Sequence, residues 1–72
     1  MNLDERIKII MRMGKEIGGR FTARDLQCKL REKPYLKWAA DINRVRAYLV
    51  IMRRKGLVDY EEKGKVGVWR IA

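Results

Sequence analysis

The chain has 72 residues, which is enough for one small folded domain. With 47% apolar residues and only one proline, its composition is too apolar for a disordered tail. Its net charge of +9, from 18 Lys and Arg against 9 Asp and Glu, favours a polyanionic partner. With a single cysteine, we expect no internal disulfide. Without histidine, the chain has almost no ligands for a metal, and we expect neither a metal site nor a cofactor. No apolar run is near the ~20 residues of a membrane span, so we expect no membrane partner.

The first predicted element is a helix from Leu3 to Ile17. Asn2 followed by Glu5 resembles a capping box at its start, and Gly18-Gly19 ends it. At 100° per residue, its core stripe is predicted to contain Leu3, Ile7, Ile10, Met11, Gly14 and Ile17.

Two further apolar residues widen the stripe of this helix. Ile9 and Met13 extend the apolar arc to roughly 200°, although a helix packed on one side of a small domain needs only about 100°. We therefore expect a homodimer formed through the helix at residues 3–17, with tolerated surface apolar residues as the alternative.

A short extended segment and a second helix follow. Arg20-Phe21 is the extended segment, Thr22 is the expected N-cap of the helix, and Asp25 lies at its third position. The helix is predicted to end near Lys33, because Pro34 disfavours helical geometry in the residue before it. Its predicted core face consists of Ala23, Leu26 and Leu30.

The pattern of residues 34–41 allows two starting positions for the third helix. Trp38 continues the apolar face of the next segment backwards at helical spacing, which allows the helix to begin as early as Tyr35. In the alternative, Asp41 is the N-cap and the preceding residues form a turn. Trp38 is predicted to be a core residue in both arrangements.

The third predicted helix, at residues 42–55, contains five Arg or Lys residues and no acid. Its apolar face suits a core and consists of Ile42, Val45, Tyr48, Leu49 and Met52. The opposite face and its flanks consist of Asn43, Ala47, Val50 and Arg54, with Arg44 and Ile51 on one side and Arg46 and Arg53 on the other. In a nucleic-acid groove, basic side chains meet phosphates, whereas Asn, Arg and small apolar groups meet base edges. A solvated surface helix usually carries Glu among its basic residues, and this segment has none.

A β-hairpin is predicted at the C-terminal end of the chain. Gly56 is the expected C-cap of the third helix, and strands follow at Leu57–Tyr60 and Val66–Ile71, with Gly64 in the turn. The charged residues near the hairpin tip are Lys63 and Lys65, beside Glu61 and Glu62. The two acids weaken the attraction of this tip for phosphates.

The order of these elements resembles the winged helix-turn-helix superfamily over essentially the whole chain. Thr22-Ala-Arg-Asp-Leu26 is similar to the start of the second helix of that family, and Met52-Arg-Arg-Lys-Gly-Leu-Val58 is similar to the passage from recognition helix to wing in many bacterial and archaeal regulators. The resemblance implies an α+β fold with three helices, a short strand and a C-terminal two-stranded wing, as a single DNA-binding domain at residues 1–72. It also implies that residues 42–54 enter the major groove and that the hairpin at 59–67 contacts the DNA backbone or minor groove.

A second resemblance is to the Zα branch of the superfamily, which binds left-handed DNA. Ile42-Asn-Arg-Val45 and Val68-Trp-Arg-Ile-Ala72 carry it. The sequence departs from the pattern of that branch at Ala47, where a Tyr is expected, at Val66-Gly67, where prolines are expected, and in the longer spacing to Gly56. The residues that the resemblance assigns to DNA contact are Asn43, Arg44 and Trp69.

From these patterns we expect a double-stranded DNA-binding protein, of the small prokaryotic, archaeal or viral transcriptional regulator type, in the cytoplasm and associated with the nucleoid. The alternatives are a non-specific architectural DNA-binding protein, an RNA- or ribonucleoprotein-binding winged helix, and a protein-interaction winged helix. Since nucleophile–base pairs are nearly excluded without histidine, we expect neither enzymatic activity nor a small-molecule ligand. The predicted DNA-binding residues are Thr22, Arg24, Asn43, Arg44, Arg46, Ala47, Val50, Arg53, Arg54, Lys63 and Lys65.

Overall fold

The computed structural model describes residues 1–72 and belongs to the α+β class, with three α-helices and a three-stranded antiparallel sheet. This arrangement is compatible with a winged helix. In chain order, the elements are α1 (Leu3–Ile17), β1 (Arg20–Phe21), α2 (Ala23–Leu30), a single 3₁₀ turn (Lys37–Ala40), α3 (Ile42–Arg54), β2 (Val58–Lys63) and β3 (Val66–Ile71).

Side-chain caps set the start of each α-helix. The Asn2 side chain accepts a hydrogen bond from the backbone N–H of Glu5 at 2.9 Å, and Thr22 and Asp25 form a reciprocal capping box. Asp41 accepts from the backbone N–H of Asn43 at 2.9 Å. Of the two arrangements considered for residues 34–41, the structure therefore shows the one in which Asp41 is the N-cap of α3.

Two predicted helix ends are displaced. α2 ends at Leu30 rather than near Lys33, because the N–H groups of Glu32 and Lys33 donate to carbonyls only three residues back and tighten the chain into turns. At the end of α3, Lys55 rather than Gly56 is the C-cap.

The predicted core stripe of α1 is wrong at Leu3, which is exposed, and at Met13, which it left out. Met13 is buried, with 5% of its surface exposed, and Ile9 packs against the core from a half-buried position. Leu3 is 40% exposed because it lies at the N-terminal end of the helix, whereas Met11 and Ile17 are half-buried and pack against the core as predicted.

The wider stripe of α1 has a tertiary cause. α1 packs against α2 and also against β1 and β3, so it is covered over a wider arc than a helix that is packed on one side only. The apolar side chains of Ile9 and Met13, from which we predicted the homodimer, therefore pack against the core of one chain, and the homodimer stays a prediction.

The first strand of the hairpin is longer and the turn is shorter than the sequence predicts, whereas the second strand has the predicted bounds. β3 is the central strand; it pairs with β1 through Phe21 and Trp69, and with β2 from Val58 opposite Ile71 as far as Lys63 opposite Val66. Residues 61–63 are consequently part of β2, and only two residues form the turn. Gly64 begins that turn with a positive φ of 63°, which glycine adopts without steric cost.

One cluster of 16 buried apolar residues forms the core, and each α-helix and the sheet contribute to it. α3 contributes Val45, Tyr48, Leu49 and Met52, in agreement with the predicted core face, whereas Ile42 is half-buried at the edge. Trp38 is also a core residue, as predicted. No helix is both long enough and apolar enough to cross a membrane.

Candidate nucleic-acid interface

The exposed side of α3 carries the residues that the sequence assigns to it, except Ile51, which is half-buried and packs against the core. Because Val45, Leu49 and Met52 are held in the core, the opposite side of the helix faces solvent. Val50 is 42% exposed, so its apolar side chain is available to a partner. The exposed residues of this helix are Asn43, Arg44, Arg46, Ala47, Val50, Arg53 and Arg54.

A buried amide on α2 fixes the turn that leads into α3. The Gln27 side chain, 3% exposed, donates to the backbone carbonyls of Ala39 at 3.0 Å and Ala40 at 3.2 Å. Its own oxygen accepts from Arg24 Nη1 at 3.0 Å. Buried polar groups are stable only when they are hydrogen-bonded, so this network positions the start of α3 relative to α2.

Gln27 is not among the residues predicted from the sequence, although the sequence contained a usable signal. Gln27 lies four residues after Ala23 and next to Leu26, on the predicted core face of α2. A polar amide at such a position indicates a buried hydrogen bond to backbone.

A groove separates α3 from the start of α2 and from the hairpin. Its volume is about 670 Å³. Its basic side chains are Arg24 from α2, Arg46 and Arg53 from α3, and Lys65 from the hairpin turn, and no Asp or Glu lines it. Val50 and Val66 add apolar surface to this groove, which we call the basic groove.

The structure brings together only part of the predicted site. Six predicted residues line the basic groove, namely Thr22, Arg24, Arg46, Val50, Arg53 and Lys65. The other five are exposed but lie outside it, namely Asn43, Arg44, Ala47, Arg54 and Lys63. The predicted interface is therefore wider than one concavity, with α3 forming one wall of the groove.

An aromatic stack joins the hairpin to α3. The rings of Tyr60 and Trp69 lie 4.6 Å apart between centroids, and the Arg53 guanidinium lies 5.7 Å from the centre of the Tyr60 ring. Tyr60 crosses over Gly67 so closely that a Cβ there would be 2.7 Å from Tyr60 Cε1. A glycine at position 67 thus allows the stack that holds the hairpin against α3.

Two aromatic residues of the hairpin, Trp69 and Tyr60, differ from the sequence-based expectations. Trp69 is 8% exposed, so it forms part of the floor of the basic groove and presents little surface for the DNA contact implied by the Zα resemblance. The contact of Tyr60 with α3 was not predicted, since it depends on Arg53 across the fold.

The opposite, solvent-facing side of the sheet is electrostatically mixed. A concavity there is lined by Arg20, Arg53 and Arg70, but also by Asp59 and Glu61. Arg70 Nη2 pairs with Asp59 Oδ2 at 3.3 Å. The acid-free basic groove is therefore the stronger candidate for binding a polyanion.

Comparisons of the chain with protein-family models, with curated proteins and with solved structures give no match. The structure contains no group of three or more His, Cys, Asp or Glu side chains placed to hold a metal ion.

Proposed function

We propose that the chain is a winged-helix domain that binds double-stranded DNA, with α3 as the recognition helix in the major groove and the β2–β3 hairpin as the wing. The observation that carries the proposal is the basic groove, in which four cations and no carboxylate lie between α3, α2 and the hairpin. Cations placed in this way neutralise backbone phosphates and release counterions, which is the main source of affinity for DNA.

The dimensions of α3 suit the major groove. An α-helix with its side chains is about 10–12 Å across, and the major groove of B-DNA is about 12 Å wide. The exposed side of α3 combines Asn43, which suits adenine, with Arg54, which suits guanine, and Val50, which suits the methyl group of thymine. A transcriptional regulator would use these side chains to read sequence, whereas an architectural protein would use only the cations.

The burial of the aromatic residues favours duplex over single-stranded nucleic acid. Single strands are read by exposed aromatic rings on which unpaired bases stack. Of the six aromatic residues, Phe21, Trp38, Tyr48 and Trp69 are buried and Tyr60 is half-buried in its stack. Tyr35 alone is freely exposed, which is insufficient for a stacking platform of several bases.

The proposal is tested by fluorescence anisotropy with a labelled DNA duplex, using the single strand and an RNA duplex of the same sequence as competitors. The double variant Arg46→Ala with Lys65→Ala removes two groove cations that have no side-chain partner within the chain. We expect it to weaken duplex binding about a hundredfold or more, since each of the two lost charge-assisted hydrogen bonds contributes roughly 1.5–3 kcal/mol.

The matched control is Arg12→Ala with Lys15→Ala, which removes the same charge from exposed positions of α1 outside the groove. Equal weakening by both double variants would show that only net charge matters and would contradict the groove. Stronger competition by RNA or by the single strand than by unlabelled DNA duplex would favour the RNA-binding alternative.

A further inference from the structure

A further concave site lies at the N-terminal end of α3. Its volume is about 450 Å³, and it is formed where α1, the 3₁₀ turn and the start of α3 meet. The residues that matter for its chemistry are Arg6, Tyr35, Lys37, Trp38, Asp41 and Arg44. We call it the Tyr35 pocket, after the one aromatic residue of the chain that is largely exposed, at 65%.

The floor of the Tyr35 pocket is a fixed cation that lies against two aromatic rings. Arg6 Nη1 donates to the hydroxyl of Tyr48, and the guanidinium lies 5.8 Å from the ring centre of Trp38 and 5.9 Å from that of Tyr48. The two rings meet edge to face at 5.1 Å. Arg6 Nε is buried and has no hydrogen-bond partner. The cation is therefore held in place by its surroundings, and its charge is not paired with a carboxylate.

The charge balance of the Tyr35 pocket favours an anion. Lys37 and Arg44 are exposed at its edge, and neither forms an ion pair. Asp41 is the one acid, and its Oδ1 already accepts from the backbone N–H of Asn43. Three cations therefore face one engaged carboxylate.

The basic groove and the Tyr35 pocket lie on opposite flanks of α3. Arg44 lines the Tyr35 pocket and Arg46 lines the basic groove. At 100° per residue, these two side chains leave the helix axis about 160° apart. A helix of about 10–12 Å that fills a groove of about 12 Å has one flank towards each strand of the duplex.

We propose that the Tyr35 pocket is a second phosphate-binding site, which binds the backbone of one DNA strand while the basic groove binds the other. This inference rests on the proposed function. Lys37 and Arg44 supply charge-assisted hydrogen bonds to a phosphate diester, and Arg6 supplies a fixed positive charge beneath it. The exposed ring of Tyr35 packs against the adjoining deoxyribose.

The two tryptophans provide a separate reporter for each site, because Trp38 lines the Tyr35 pocket and Trp69 lines the basic groove. The protein labelled with 5-fluorotryptophan has two ¹⁹F resonances, which the variants Trp38→Phe and Trp69→Phe assign. We expect a short DNA duplex to shift both resonances over the same range of concentration.

The double variant Lys37→Ala with Arg44→Ala removes the proposed phosphate ligands from exposed positions. We expect it to lose most of the Trp38 shift, to keep the Trp69 shift, and to make the salt dependence of duplex binding shallower by about two in log–log slope. The control Arg12→Ala with Lys15→Ala is expected to keep both ¹⁹F shifts and the slope.

The outcomes separate this inference from the proposed function. A shift of Trp69 alone, or a double variant that behaves like the control, would overturn the second site and leave duplex binding intact. No shift of either resonance would overturn both. A Trp38 shift as large with a single strand as with the duplex would show a general phosphate site and would overturn its assignment to the second strand.

Discussion

Asn43 and Arg53 lie at opposite ends of α3 and are suited to different contacts with DNA. Asn43 is exposed close to the start of the helix, and its amide matches the paired donor and acceptor of adenine in the major groove. Arg53 lines the basic groove near the hairpin, where phosphate contact is expected.

Substitution of these two residues separates base reading from phosphate binding. Asn43→Ala is expected to cost about 1–3 kcal/mol on a cognate site and much less on random DNA. Arg53→Ala is expected to weaken both and to make the salt slope shallower by about one. Loss of the Tyr60 contact lowers the free energy of unfolding of Arg53→Ala by no more than about 1 kcal/mol. Binding titrations measure the difference, and equal losses on both DNAs for Asn43→Ala would favour the architectural alternative.

Gln27 is expected to contribute to stability through hydrogen bonds rather than through apolar burial. Gln27→Leu leaves the carbonyls of Ala39 and Ala40 without their side-chain donor, and it should lower the free energy of unfolding by about 1–3 kcal/mol. Urea denaturation measures the change. The neighbouring exposed Cys28, changed to Ser, is the control and should leave the midpoint nearly unchanged. A variant as stable as the control would show that the network contributes little.

Among the elements, α1 differs most from the sequence-based expectation. Met13 belongs to the core because the helix contacts both α2 and the sheet. Met13→Ala is expected to lower the free energy of unfolding by about 2–5 kcal/mol, since it leaves a cavity. Leu3→Ala on the same helix removes a 40% exposed side chain and should cost much less.

The same pair of variants bears on the homodimer. Because Met13 and Ile9 pack within one chain, Met13→Ala is expected to change thermal stability without changing the mass measured by light scattering. A fall in mass with little loss of stability would instead support the interpretation of α1 as a dimer interface.

The hairpin and α3 act as one structural unit in the proposed interface. Arg53, Tyr60 and Trp69 form a continuous stack from the helix to the sheet, and Gly67 leaves room for it. This stack holds Lys65 and Val66 at the edge of the basic groove. The position of the hairpin thus depends on side chains that are distant in sequence.

For the whole molecule, charge sets the expected salt dependence. The net charge is +9, and residues 42–55 contain no acid to offset their five basic side chains. If about 4–6 phosphates are neutralised by each molecule, log K should fall with log salt at a slope of roughly −4 to −5. Anisotropy titrations with duplex DNA at several salt concentrations measure this slope. A flat response would contradict the electrostatic interface and favour a protein-interaction domain.

The sequence by itself determined the features that depend on neighbouring residues. Hydrogen bonds over three residues identify the N-caps Asn2 and Thr22 and the start of α1. Periodicity over three or four residues identifies the core face of α3. The basic character of α3 was also visible, because exposed charge needs no tertiary partner to identify it.

Only the tertiary structure decided the features that join distant segments. The burial of Met13 depends on which elements surround α1, and the hydrogen bonds of Gln27 end on carbonyls 12 and 13 residues away. The basic groove combines residues from α2, α3 and the hairpin, while Arg44, only two residues from Arg46, belongs to a different pocket. Side-chain periodicity places a residue on a face of its own helix, but the packing of that helix determines which other segment the face meets.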